Sequence, residues 1–182
     1  MEIFNNPIQV MRNEHKIISS ADQVVQLLDH YWEKSEEGFV KHVHSLLSFF
    51  REFSDRYHHF KEEQVLFPEL ESHVDFSLHS LISELKEHHE IFREYTQTIQ
   101  RFLNENQFEK TYTALCTYMD ELLDHIAVED DELFVISESL LSDAELETMY
   151  HKFKDIDIDL GESRKTQLFK LLKDIEVEIK QD

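Results

Sequence analysis

Apolar residues recur along this chain at the three- and four-residue steps of an amphipathic helix. The first stripe is Ile8, Met11, His15, Ile18, Val25 and Leu28, with one histidine inside it. Asn6 is placed to cap this helix, and Pro7 suits its first position. Glu33 to Gly38 breaks the pattern and reads as a loop. A second helix is expected from Phe39 to Glu71, with Val43, Leu46, Leu47, Phe50, Phe53, Tyr57, Val65, Leu66 and Leu70 on its apolar face and a kink expected at Pro68. A third covers Leu78 to Leu103, and a fourth covers Phe108 to Leu141. Ser142 and Glu145 have capping-box spacing, so a short helix should follow. Asp155 to Gly161 alternates polar and apolar and reads as a loop, after which Ser163 is expected to cap a last helix running to about Ile179. Short connections between long amphipathic helices favour antiparallel neighbours. The expected fold is all-α: an up-down-up-down antiparallel four-helix bundle over residues 1–141, with residues 142–182 as a C-terminal helical extension packed on the same domain.

Composition supports this picture. Gly and Pro occur only twice each in 182 residues, too few for the turns of a β fold. The formal charge of −21 disfavours nucleic acid and anionic membrane surfaces as partners. A single cysteine, Cys116, excludes an intramolecular disulfide, a cysteine-rich zinc site and a cysteine-ligated cluster. No apolar run is long enough to span a membrane and no signal peptide is evident, so a cytoplasmic location is expected.

The polar residues on the apolar stripes change the question from fold to chemistry. His58 and Glu62 stand four residues apart, one helical turn, and so do His125 and Glu129; both pairs are followed by Leu-Phe, at Leu66-Phe67 and Leu133-Phe134. Each half of the chain thus has a helix with one inward histidine (His15, then His89) followed by a helix with a His-x-x-x-Glu pair. In an antiparallel bundle the four histidines fall roughly 12, 20, 17 and 24 Å from one end, which places them in one layer. Four imidazoles and two carboxylates are costly as core packing. They suit two metal ions, and a donor set without thiolate favours iron or manganese, with zinc also compatible. Matching the two motifs selects His58 and Glu62 over His59 and Glu63, which become outer or surface residues. His89 fits the stripe with Leu85 and Phe92 better than His88 does. Glu14 and Glu87 are candidates to orient ligand imidazoles or else lie on the surface. Tyr57 and Tyr118 are read as core residues, and His30, His42, His44, His73, His79 and His151 as solvated or locally hydrogen-bonded.

Four pieces together resemble the hemerythrin-like (HHE cation-binding) family: Met11 to His15, His58 to Pro68, His88 to Arg93 and His125 to Phe134. The resemblance implies a bundle with a non-haem di-iron centre. It assigns His15 and His58 to one iron, His89 and His125 to the other, and Glu62 and Glu129 as bridges, with an oxo or hydroxo bridge when oxidised; manganese or zinc is the lesser alternative. Oxygen-carrying hemerythrins have a second histidine one turn before the third-helix ligand, where this chain has Leu85. They also place a bridging Asp five residues after the last histidine, whereas Glu129 follows His125 by four. The ligand set is closer to that of the RIC-type iron-centre repair proteins, although no cysteine precedes Pro7 here and a repair role carries over weakly. The expected function is binding of, or reaction with, a small oxidant such as dioxygen, peroxide or nitric oxide. The alternative is an iron sensor, storage or repair module without turnover.

Overall fold

The computed structural model describes residues 6–181; residues 1–5, with which the first expected domain begins, and residue 182 lie outside them. The described residues are helical throughout, with no strand. The first arm of the bundle is α1 (Pro7–Ser19) and α2 (Ala21–Leu27), followed by the short α3 (Tyr31–Lys34). The second begins as α4 (Glu36–Phe49), passes through π-helical segments at Phe50–His59 and Glu62–Leu66, and ends in α5 (Phe67–Ser72). The third is α6 (His79–Asn104). The fourth is α7 (Phe108–Val128), a π-helical turn at Glu129–Leu133, and α8 (Phe134–Leu140). Two further helices follow, α9 (Asp143–Leu160) and α10 (Glu162–Gln181).

Local signals place most of these ends. The Asn6 side chain accepts from the Ile8 N–H, with Pro7 in the first turn. Ser142 and Glu145 form the expected reciprocal capping box. Three expectations are corrected. Glu33 to Gly38 is not a loop: Ser35 alone breaks the helix, and its side chain caps α4 by accepting from the Gly38 N–H. Asp155 to Gly161 is not a loop either. Helix α9 continues to Leu160 and stops only at Gly161, whose φ of 81° is open to glycine at little cost. Helix α10 therefore starts at Glu162, and Ser163 lies inside it rather than capping it. Among the histidines read as solvated or locally hydrogen-bonded, His42 is buried rather than solvated, with its ring against Tyr31.

The apolar interior is split in two. One cluster contains Ile18, Val25, Phe39, Phe53, Phe92, Tyr118 and Leu122. The other contains Ile8, Met11, Leu66, Phe67, Leu85, Leu133 and Phe134. On each arm the boundary between the clusters falls at the inward histidine, so the polar layer crosses the whole bundle. The C-terminal helices join both clusters: Leu168, Leu172, Ile175 and Ile179 of α10 enter the first, and Leu146, Met149 and Phe153 of α9 enter the second. Because Leu168 is fully buried among bundle residues, Leu168→Ala should cost about 2–5 kcal/mol, lowering Tm by roughly 2–4 °C per kcal/mol. Thermal unfolding should stay a single transition; two separate transitions would make α9 and α10 an independent unit.

Candidate metal centre

The six residues expected at the centre come together. His15, His58, Glu62 and Glu129 form one buried group, and Glu62, His89 and His125 belong to a second. Glu62 faces both groups, with Oε1 3.4 Å from His58 Nε2 and Oε2 3.4 Å from His89 Nε2. Glu129 does the same across the layer, with Oε2 3.2 Å from His15 Nε2 and Oε1 3.3 Å from His125 Nε2. The His89 and His125 Nε2 atoms lie 3.2 Å apart.

The outer nitrogens define the inner ones. His15 Nδ1 donates to Asp130 Oδ1 at 3.0 Å, His58 Nδ1 to Glu14 Oε2 at 3.0 Å, and His89 Nδ1 to Glu63 Oε1 at 2.8 Å. A carboxylate only accepts, so in each neutral ring the proton sits on Nδ1 and the Nε2 lone pair points inward. The fourth ring, His125, places its Nδ1 3.4 Å from His88 Nδ1, which makes His88 an outer partner. Glu14 is buried and orients His58, whereas Glu87 is exposed.

His59 is the residue that sequence reasoning left out. It is buried and completes the second group with Glu62, His89 and His125. Its ring stacks on His89 with centroids 3.9 Å apart and planes 8° from parallel. The cause lies in the backbone. Residues Phe50–His59 are π-helical, and the Phe60 N–H bonds five residues back to the Asp55 carbonyl. This wider turn rotates less per residue than an α-helix, so Tyr57, His58 and His59 are buried in succession. Glu62 and Glu129 each open a π-helical turn of their own: Phe67 N–H bonds to the Glu62 carbonyl and Phe134 N–H to the Glu129 carbonyl. Pro68 follows the first of these turns directly, near the start of α5.

A cation fits the donors present. Both oxygens of Glu62, both oxygens of Glu129, and Nε2 of His15 and His58 are buried without a hydrogen bond. The inward contacts of 3.2–3.4 Å are close enough for attraction, yet they lack the alignment of hydrogen bonds. Inward lone pairs and acceptor-only carboxylates are a donor set for a metal, and burying such groups otherwise costs several kcal/mol each.

The family model of the hemerythrin HHE cation-binding domain matches residues 6–136. The chain belongs to that family. No curated protein and no solved structure matches it. The hemerythrin HHE match ends before α9, so both C-terminal helices lie outside it. No described helix is long and apolar enough to cross a membrane.

Electrostatics of the polar layer follow from burial. Burial drives His58 down to about 4, despite its bond to Glu14, and drives His59 and His89 down as well, so all three rings are neutral at pH 7. Burial opposes protonation of His15, but Asp130 and Glu129 outweigh it and lift the ring to about 9. Burial and the nearby Glu129 charge raise Glu62 far above the usual carboxylate range. Burial also acts to raise Glu129, yet His125 and His15 hold it well below that range. His15 is therefore protonated at pH 7, and a cation bound at its Nε2 would displace that proton. Metal uptake at pH 7 should release protons, measurable as a buffer-dependent enthalpy in calorimetry, and affinity should rise as pH increases toward about 9. A pH-independent affinity between 6 and about 9 would contradict this charge state.

Proposed function

We propose that this hemerythrin HHE protein is a cytoplasmic non-haem di-iron protein that binds or reacts with a small oxidant, namely dioxygen, peroxide or nitric oxide. The observation that carries the reading is the placement of Glu62 and Glu129, each with one oxygen toward either histidine group. Two carboxylates shared in this way suit two adjacent ions and serve a single ion poorly. In this reading His15 and His58 hold one iron; His59, His89 and His125 hold the other; Glu62 and Glu129 bridge. Imidazole and carboxylate donors favour iron, with manganese or zinc as lesser alternatives. The irons would supply one-electron chemistry and a coordination position for a small ligand.

The residues prepare two different metal positions. The imidazole that Leu85 cannot supply comes instead from His59, on the neighbouring arm. The His15 and His58 side has one donor fewer, and a small ligand would bind there. Carboxylates on three outer nitrogens keep the rings oriented and increase their basicity. A cavity of about 250 Å³, lined by His88, Ile91, Phe92, Glu121, Asp124, His125 and Val128, reaches the edge of His125 from solvent. It opens onto the side of the layer that holds His125.

Protein made with ample iron should contain two irons per chain and gain near-ultraviolet absorption on aerobic oxidation. One metal per chain would overturn the dinuclear reading. Two irons inert to dioxygen, peroxide and nitric oxide would turn the function toward sensing or storage. Glu62→Ala or Glu129→Ala should remove most of the metal and much of the stability conferred by it. His59→Leu should lower iron content toward one per chain, whereas His88→Leu should keep two. Equal iron content in both histidine variants would return His59 to an outer role.

A further inference from the structure

The least expected charge in the interior belongs to Lys61. Its side chain is fully buried, and Nζ donates to Glu14 Oε1 at 2.6 Å. A second carboxylate, Asp157 of α9, lies 3.1 Å from the same Nζ. The ammonium also sits over the Tyr57 ring, 3.7 Å from its centroid. The Tyr57 hydroxyl donates to Asp157 Oδ1, and Lys165 of α10 reaches both that hydroxyl and, at 3.4 Å, the same carboxylate oxygen. Glu14 uses its other oxygen, Oε2, to accept from His58 Nδ1. One connected path thus runs from α10 through Lys165, Asp157, Lys61 and Glu14 to a histidine of the metal layer. Its outer members are only partly exposed, with side-chain accessibilities of 13% for Asp157 and 19% for Lys165. Both residues lie beyond the segment that matches the family.

We propose that Asp157 is a positioning residue of the metal centre, acting through Lys61 and Glu14 on His58. Within the metal-binding reading on which this rests, the argument is one of divided charge. Glu14 is the acceptor that makes His58 a stronger donor to a metal, and Lys61 draws on the same carboxylate. Asp157 takes part of the ammonium's interaction and leaves Glu14 more negative toward His58. Lys165 opposes Asp157 by drawing on it from the solvent side. The C-terminal pair of helices therefore sets how firmly the His15 and His58 side holds its ion. Hydrogen-bond partners of ligand imidazoles commonly affect metal affinity by about 10–100-fold. A residue two steps further out should act at the lower end of that range.

The test compares two substitutions of opposite charge on the same helical pair. The dissociation constant for the weaker-bound Fe²⁺ is measured anaerobically, by competition with a chelator, in the full-length protein. Asp157→Asn should raise it about 10-fold, and Asp157→Glu should restore much of the loss. Lys165→Met should lower it. Both neutral substitutions loosen the same contacts between α9, α10 and the bundle, so a purely structural role would weaken Fe²⁺ binding in both. Weakening in both variants, or an unchanged constant in Asp157→Asn, overturns the proposal. Should Asp157→Asn fail to fold, Lys165→Met still decides: a lower constant supports the proposal, and an unchanged or higher one overturns it. Wild-type protein that takes up no Fe²⁺ would instead overturn the metal reading beneath it, a separate outcome visible before any variant is made.

Discussion

Glu62 and Glu129 are wholly buried, and none of their four oxygens accepts a hydrogen bond. Carboxylates taken out of water in this way cost several kcal/mol each unless something positive stands between them. The rest of the layer reads as a response to that constraint. Imidazoles turn their lone pairs inward, and carboxylates outside hold three of those rings by Nδ1. The apolar core parts into two clusters so that a polar plane can cross the bundle. The two carboxyls are pushed in opposite directions: burial and the Glu129 charge raise Glu62, while His125 and His15 hold Glu129 low. A cation between the carboxylates would relieve that opposition.

The arms of the bundle were legible in the sequence because burial there follows the α-helical period. Met11, His15 and Ile18 fall on one stripe and are all buried, as are Leu85, His89 and Phe92. Caps were legible for the same local reason: Asn6 and Ser142 act through residues only two or three positions away. The errors have physical causes. Asp155 to Leu160 alternates because Asp157 turns inward to Lys61 while Ile158 is left exposed, and alternation of that origin imitates a loop. Ser35 breaks the chain by itself, so a six-residue loop was too long. His59 was lost because a stripe counted at 3.6 residues per turn cannot place two adjacent histidines on one face. Only the π-helical backbone does so, and no residue type announces such a turn.

The site also shows the limits of a motif. The His-x-x-x-Glu pairs fix the inner donors, but the groups that tune them come from elsewhere. Asp130 reaches His15 from the fourth arm, and Glu63 reaches His89 from the neighbouring arm while also accepting from Arg93. Lys61 lies inside the motif yet makes its contacts with α1 and α9. The side chains around a buried centre are therefore set by the tertiary fold, including helices that the family pattern does not cover.

The two halves repeat each other down to the backbone defect: Glu62 and Glu129 each begin a five-residue π-helical turn that ends in leucine. They differ at one neighbouring position, where His59 corresponds to Ile126. A ring nitrogen on one side of the pseudo-two-fold axis faces a hydrocarbon branch on the other. If the layer holds two ions, as proposed, they are not interchangeable. They would load in a preferred order, and a pair differing in charge or in element would have only one sensible way round. The break in symmetry gives the centre a direction.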